Sequence, residues 1–411
     1  YVTGGPGTLA KGDTGKSVPG AWGGYHDAGD WNPRRITHMR VSMAQMEILE
    51  LFPKKIGGLG WNLPDPGPAP DILKEAVWEL GLWRRLQRAD GAVSEGVETD
   101  GDPRPGEVSW HQSMPAYVYA PDAKSSYVFA QMAARAGLLM TPFDAKEGKS
   151  LVAAALRATA WADAQDATKL DWTATDDRNF AYLLLYKATK DRRWLRRFEE
   201  TFALRDPKAK VFEWSKWVQR DAAFNYAGLP AGVGDPELRR RAVAAVVEEA
   251  EKALAYQAGN AFGITTPDKG KPMFLGFYST PDAIALCRAH RLTGDDKYLR
   301  GALVAAGFGA GANPVNMTYT TGLGAESPRH PLFLDTRHTG QPTPKGLTVY
   351  GNIDFHRWNE NWSSWPLIYH VQHHTVPKVW EWPIPEAYFD ISLYPVTNEW
   401  TVDIWDKTTY V

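Results

Sequence analysis

Apolar and polar positions follow a helical period through the middle of the chain. Between 71 and 88, Ile72, Leu73, Ala76, Val77, Leu80 and Trp83 fall on one face, behind a proline-rich entry (Pro64, Pro66, Pro68, Pro70) that cannot itself be helical. Asp235 before Pro236 is an N-cap and N1 pair. Leu238, Ala242, Ala245 and Val246 then give the apolar stripe of a helix running to about residue 257. The same period predicts helices over about 125–137, 148–164, 176–189, 192–204 and 281–292, with Asp176-Asp177 read as a capping pair at a helix start.

One turn is used twice. Thr189-Lys190-Asp191-Arg192-Arg193-Trp194-Leu195-Arg196 parallels Thr293-Gly294-Asp295-Asp296-Lys297-Tyr298-Leu299-Arg300, with Asp191 and Asp295 placed to cap the incoming helix. Repeated antiparallel helix pairs either stack openly or close into a ring, and the lack of a short fixed repeat favours a closed double ring of helical hairpins. Strand alternation is scarce. Long loops at 1–35, 90–122, 259–280, 311–365 and 371–398 therefore carry nearly all the His, Trp and paired acids, the ordinary arrangement for an active site on a rigid frame.

Composition then removes function classes. Lys+Arg (46) nearly balances Asp+Glu (48), so no global positive field exists to attract a phosphate backbone, and nucleic acid is not an expected partner. No stretch approaches the roughly 20 apolar residues of a membrane span. No charged-then-apolar leader precedes Tyr1, so the chain reads as a mature or trimmed form. A single cysteine, Cys287, excludes an internal disulfide; beside Ala283, Ile284, Ala285 and Leu286 it reads as a buried helix position. Tryptophan is the outlier, at 18, with many in the last third beside Pro, Asn and His. Such loop tryptophans suit either the apolar face of a pyranose ring or plain bulk over a core.

The sharpest local signal is Gly23-Gly24-Tyr25-His26-Asp27-Ala28-Gly29-Asp30-Trp31. Two carboxylates three residues apart in a glycine-rich loop can face one small volume. Glycoside hydrolysis with inversion needs such a group to deprotonate water, a neighbour to orient that water, and a distant acid across the scissile bond. The same residues also fit an Asx-type turn, or a calcium or zinc site using His26. His373-His374 with Glu381 is a weaker metal candidate, because adjacent histidines point apart in most backbones.

Gly24-Tyr25-His26-Asp27-Ala28-Gly29-Asp30 resembles the Asp-Ala-Gly-Asp signature of glycoside hydrolase family 9, the inverting cellulase family. Further segments agree in order: Asp71-Ile72-Leu73-Lys74-Glu75 to Gln87 with Asp90-Gly91-Ala92-Val93; Ala312-Asn313-Pro314 through Thr318-Tyr319-Thr320-Thr321-Gly322 and Ser327-Pro328-Arg329-His330-Pro331; and Asn398-Glu399-Trp400-Thr401-Val402. The resemblance implies an all-α (α/α)6 barrel, a single catalytic domain over residues 1–411 with long loops forming the cleft, acting on β-1,4-linked glucans or close relatives. It implies Asp30 as general base, Asp27 as holder of the water, and Glu399 as general acid. Tyr394, Trp400 and Trp405 around Glu399 would raise its pKa by desolvation, whereas a helix N-terminus there would oppose that rise. Tyr25, His26, Trp31, Tyr319 and His330 are the implied sugar contacts. Where the family continues with His-His-Arg after the proline, this chain has Leu332 to His338, so Arg337 and His338 are expected to supply those contacts from shifted positions. Trp358 and Trp362, beside Asn and Ser, are the expected stacking platforms, with Trp380 and Trp382 near them.

No cofactor is required by this chemistry, and a structural calcium ion is compatible with it. The resemblance also places the protein outside the cell or in the periplasm. The family's pattern has a first barrel helix, often after an immunoglobulin-like domain, ahead of this motif, and the loop-like residues before Asp27 are expected not to supply it. Twelve residues after Glu399 are too few for a long closing helix. A missing segment, a partner chain or reduced stability is therefore expected. The competing readings are a polysaccharide lyase using Tyr319, His330 and Arg337, a non-catalytic glycan-binding protein, and a metal-dependent hydrolase built on His26, Asp27 and Asp30.

Overall fold

A helix forms at each place where the apolar period predicts one, and several of them start on a capping aspartate. The computed structural model describes residues 9–26, 31–33, 36–101, 103–104, 106–265, 283–331, 333–349, 351–352, 376–378, 381–388, 390 and 408–409. It divides into two compact units, Tyr1–Asp102 with Met114–Ala245, and Pro103–Ser113 with Val246–Val411.

The first unit contains α1 (Met39–Leu51), α2 (Pro53–Ile56), α3 (Asp71–Leu86), α4 (Ala123–Met140), α5 (Ala145–Asp163), α6 (Trp172–Thr189), α7 (Arg192–Thr201) and α8 (Arg220–Ala227). α9 (Pro236–Ala258) begins there. α4 is buried on every face from Ser125 to Gly137, and α5, α6, α3 and α1 pack on it. Its approach to α5 depends on two glycines: a Cβ on Gly137 would lie 2.7 Å from Val152 Cγ2, and one on Gly148 2.3 Å from Thr141 Oγ1. Any side chain there would push the two helices apart.

The side chains of Asp122, Asp144 and Asp171 accept backbone N–H bonds at the starts of α4, α5 and α6, and Asp235 does so for α9. Asp176-Asp177 is not the capping pair the sequence suggested. α6 starts earlier, with Asp171 accepting from Ala174 N at 2.7 Å. Asp176 sits a turn inside and binds the Val218 N–H and the Gln219 side chain. The duplicated turn is present in both places. Lys190 (φ 60) and Gly294 (φ 72) end α6 and α10 (Ile284–Thr293) in the left-handed region, and Asp191 and Asp295 cap α7 and α11 (Asp296–Gly309) through Arg193 N and Lys297 N, each at 2.9 Å.

Short antiparallel strands bridge the loops. β1 (Val97–Thr99) pairs β2 (Ala116–Val118) with Glu98 opposite Tyr117, and β3 (Phe212–Glu213) pairs β4 (Trp217–Val218). In the second unit β5 (Thr348–Val349) pairs β6 (Thr408–Thr409).

That second unit also holds α10 (Ile284–Thr293), α11 (Asp296–Gly309) and α12 (Leu334–Thr339). α10 packs on α11, with Leu286 and Ala289 as its buried residues. Cys287 lies on the predicted helix but is exposed, contrary to the buried position expected. One residue past Leu286 turns the side chain about 100° away from the apolar stripe. α11 also presents Leu299, Leu303 and Val304 to solvent.

Candidate active site

The segment entering Asp27 is held against α3. Gly23 and Gly24 both take positive φ (81° and 87°), and a Cβ on Gly24 would come within 2.6 Å of Leu82 Cδ2, so the chain can lie this close to the helix only as glycine. Arg85 grips the segment from α3: Nε donates to the Gly20 carbonyl at 3.2 Å, Nη2 donates to the Trp22 carbonyl, and the guanidinium lies 3.6 Å over the Trp22 ring. One turn back, Glu79 Oε2 accepts the Tyr25 backbone N–H at 2.5 Å, and Glu75 Oε1 accepts the Tyr25 hydroxyl at 2.6 Å.

Glu79 is fully buried, and burial pushes its carboxyl up to about 8 against the opposing pull of the Tyr25 N–H; the nearby Glu75 charge adds to the rise. Burial, then the bonded Glu75, also hold the Tyr25 phenol well above its usual value, so it stays a donor. Tyr25 is half-buried and tilted against Trp78 at 5.8 Å, while His26 is exposed.

Beyond Asp30 the chain is fixed to β1. Trp31 is buried with φ 57. Asn32, 3% exposed, donates from Nδ2 to Thr99 Oγ1 at 3.0 Å and accepts the Thr99 N–H at 3.2 Å, and Pro33 accepts the Val97 N–H at 3.0 Å. Both flanks of the acidic motif are therefore pinned to regular structure. Asp27 and Asp30 themselves, with Glu399, Trp358, Trp362, Trp380 and the His373-His374 pair, lie outside the described residues.

In the second unit, Tyr319 is fully buried between Phe308 and Tyr388, and its hydroxyl donates to Asn352 Oδ1 at 2.5 Å. Among the described residues it belongs to the frame of its loop. His330 is exposed; its N–H is accepted by Asp390 at 3.1 Å, and its carbonyl accepts Arg337 Nη2 at 2.8 Å. Arg337 and His338 stand on α12, where Asp335 fastens the 103–113 segment by accepting the Ser109 N–H (2.7 Å) and hydroxyl (2.6 Å). His338 Nδ1 donates to the Glu107 carbonyl, which fixes its tautomer. The structure thus gathers His330, Arg337 and His338 around one short helix.

Sequence reasoning missed Glu79, Asn32, Asp335, Asn352 and Asp390, which hold the candidate residues in place. Glu79 had a signal: it falls on the stripe of α3 between Ala76 and Trp83, a charged residue at a core position. Trp110 was also missed, an exposed indole on the segment that Asp335 anchors. Tryptophan serves both purposes in this chain. Trp83, its Nε1 donating to the Glu95 carbonyl, and Trp194, stacked on Tyr182, are core, while Trp22 and Trp110 are exposed. No group of three or more metal-ligating side chains occurs among the described residues, and no described helix is long and apolar enough to cross a membrane.

The family model for glycosyl hydrolase family 9 matches residues 7–365. Endoglucanase D of Acetivibrio thermocellus is 22% identical over 329 residues, covering 75% of this chain and 51% of the relative. The xyloglucan-specific endo-beta-1,4-glucanase of Bacteroides ovatus is 24% identical over 343 residues, covering 75% of this chain and 57% of the relative. The chain therefore spans about half the length of these curated relatives. A single mutant of the thermostable endoglucanase from Alicyclobacillus acidocaldarius superimposes with a TM-score of 0.77 at 21% identity, over 95% of this chain and 72% of that one. That likeness gives the fold as the all-α (α/α)6 class which the sequence resemblance implied. A match spanning most of the chain, motif segment included, and a shared helical fold lead to one statement: this chain belongs to glycosyl hydrolase family 9.

Proposed function

We propose that the protein hydrolyses β-1,4-linked glucan chains or oligosaccharides with inversion at the anomeric carbon. The observation that carries this reading is the family match across residues 7–365, which takes in the Asp27–Asp30 motif. The names of the matched relatives, endoglucanases with one specific for xyloglucan, support the substrate class. Asp30 takes a proton from the attacking water, Asp27 orients that water, and Glu399 gives a proton to the departing oxygen, so the chain's own carboxyls balance the reaction without a cofactor. Inversion by this route requires base and acid carboxyls about 6.5–9.5 Å apart. Glu399 lies past the end of the family match, and its role rests on the Asn398-Glu399-Trp400 motif.

Tyr25, His26 and Trp31 flank the base; His330, Arg337 and His338 offer the planar polar groups that equatorial hydroxyls need, with Trp110, Trp358 and Trp362 as stacking surfaces. Tyr319, buried as it is, contributes through the loop frame. A structural calcium ion, if bound, would act on stability alone. A polymeric substrate that cannot cross a membrane argues for action outside the cytoplasm.

The test is product analysis on β-glucan, xyloglucan, mannan and chitosan oligomers, with the anomer released followed by NMR. Reducing ends of inverted configuration, lost in Asp30→Asn and Glu399→Gln proteins that still fold, are expected. Full turnover in Asp30→Asn would remove the base assignment, ultraviolet-absorbing unsaturated products would point to a lyase, and binding without products would make this a glycan-binding protein.

A further inference from the structure

A carboxyl in the core stripe of a helix is costly unless it has a task, and Glu79 is the instance on α3. Its side chain is fully buried, and Oε2 accepts the backbone N–H of Tyr25 at 2.5 Å. Its other oxygen, Oε1, is buried with no hydrogen-bond partner. A leucine there would satisfy the stripe made by Ala76, Leu80 and Trp83 at lower cost, but would leave the Tyr25 N–H without its acceptor. Four residues before it, Glu75 holds the Tyr25 hydroxyl. Two carboxyls on successive turns of one rigid helix thus fix one residue at both ends, its main chain and its phenol.

Tyr25 stands two residues before Asp27. Two peptide units span at most about 7 Å, so a displacement of the Tyr25 backbone passes to Asp27 with little slack. The Gly24 conformation and its contact with Leu82 bring the chain to the helix; the carboxyl bond sets its rotation and height there.

We propose that Glu79, seconded by Glu75, is a positioning residue for hydrolysis: by gripping Tyr25 it fixes the point from which the chain carries Asp27 and Asp30 towards the attacking water. The inference rests on the reading of Asp27 and Asp30 given above. Glu79 does not touch substrate, and it acts through the main chain it holds. Misplacing a catalytic group by about 1 Å can lower turnover about 100-fold, and a base that acts only on the attacking water leaves the sugar contacts in place.

The experiment measures kcat and KM on a soluble β-glucan oligomer, with the folded fraction by circular dichroism, for Glu79→Gln, Glu79→Ala, Tyr25→Phe and Asp30→Asn. Glu79→Gln keeps an acceptor of the same shape and should retain kcat within about threefold. Glu79→Ala should lower kcat at least about tenfold with KM within about threefold. Tyr25→Phe, which keeps the main-chain bond to Glu79 and loses the phenol's bonds to Glu75 and Gln45, should fall between them. If Glu79→Ala fails to fold, the Glu79→Gln and Tyr25→Phe pair decides: wild-type kcat in Tyr25→Phe, or a Gln variant as inactive as Asp30→Asn, overturns the proposal. Unchanged kcat in folded Glu79→Ala, while Asp30→Asn is inactive, overturns it and leaves the catalytic reading standing. Turnover surviving in Asp30→Asn fails that reading instead.

Discussion

Replacing Arg135 by methionine should destabilise the first unit by about 3–5 kcal/mol, the usual cost of breaking a buried ion pair from one side. Arg135 stands on α4 with 1% of its side chain exposed. Its Nη1 is 3.2 Å from Glu47 Oε2, its Nε 3.2 Å from Glu50 Oε2, and its Nη2 donates to Asn225 Oδ1 at 2.5 Å. Lys187 from α6 completes the cluster, 2.5 Å from Glu50 Oε1 and 3.1 Å from Asn225 Oδ1. Two cations thus face two carboxylates, and methionine fills the space while leaving Glu47 and Glu50 to share one ammonium.

Burial first, and then the positive charge of Arg135, hold Lys187 below the ordinary lysine value. Loss of Arg135 relieves that second effect, so Lys187 recovers part of the energy and the cost should fall toward the lower end of the range. Urea melts of Arg135→Met, Glu47→Gln and the double variant measure the coupling. The double variant should be less destabilised than the sum of the singles by about 1 kcal/mol or more. An Arg135→Met protein within about 1 kcal/mol of wild type, or strict additivity, would refute the account of a charge-balanced buried cluster.

Other outcomes follow from single contacts. Lys190→Gly should raise stability by about 0.5–1 kcal/mol in a thermal melt, because a non-glycine residue at φ 60 is strained; Gly294→Lys at the matching turn should lower it by a similar amount. Glu79 has a folded value of about 8 against 4.5 for the free side chain, so its ionisation opposes folding: stability should fall as pH rises from about 4.5 to 8, by a few kcal/mol at most. Glu79→Gln should flatten that slope in melts across the same window, and an unchanged slope would assign it elsewhere. Asn32→Ala leaves the buried Thr99 N–H without an acceptor and should cost about 1–3 kcal/mol, with turnover reduced as the far flank of the acidic motif loosens. Asp335→Asn keeps one acceptor for Ser109 and should weaken oligosaccharide binding, read as a raised KM, with little change in melting temperature.

The helices were largely legible because their signals are local. The stripe of α3, the Asp235-Pro236 start of α9 and the repeated turn at 189–196 and 293–300 each lie within a few residues of one another, and caps and period act over that distance. Errors arose where a choice depended on what packs alongside. Asp171, not Asp176, caps α6, because the earlier aspartate reaches Ala174 N while Asp176 is claimed by β4; Cys287 faces outward because the buried side of α10 is the one that carries Leu286 and Ala289. The candidate chemistry, an Asp-Ala-Gly-Asp loop and a late glutamate, was readable as residue types. What tertiary structure alone decided is what holds the neighbouring segments: Glu79 and Glu75 under Tyr25, Thr99 beside Asn32, Asp335 on Ser109, Asn352 on Tyr319. Those bonds join positions 33 to 226 residues apart, and their strength depends on burial, which no local pattern of side chains encodes.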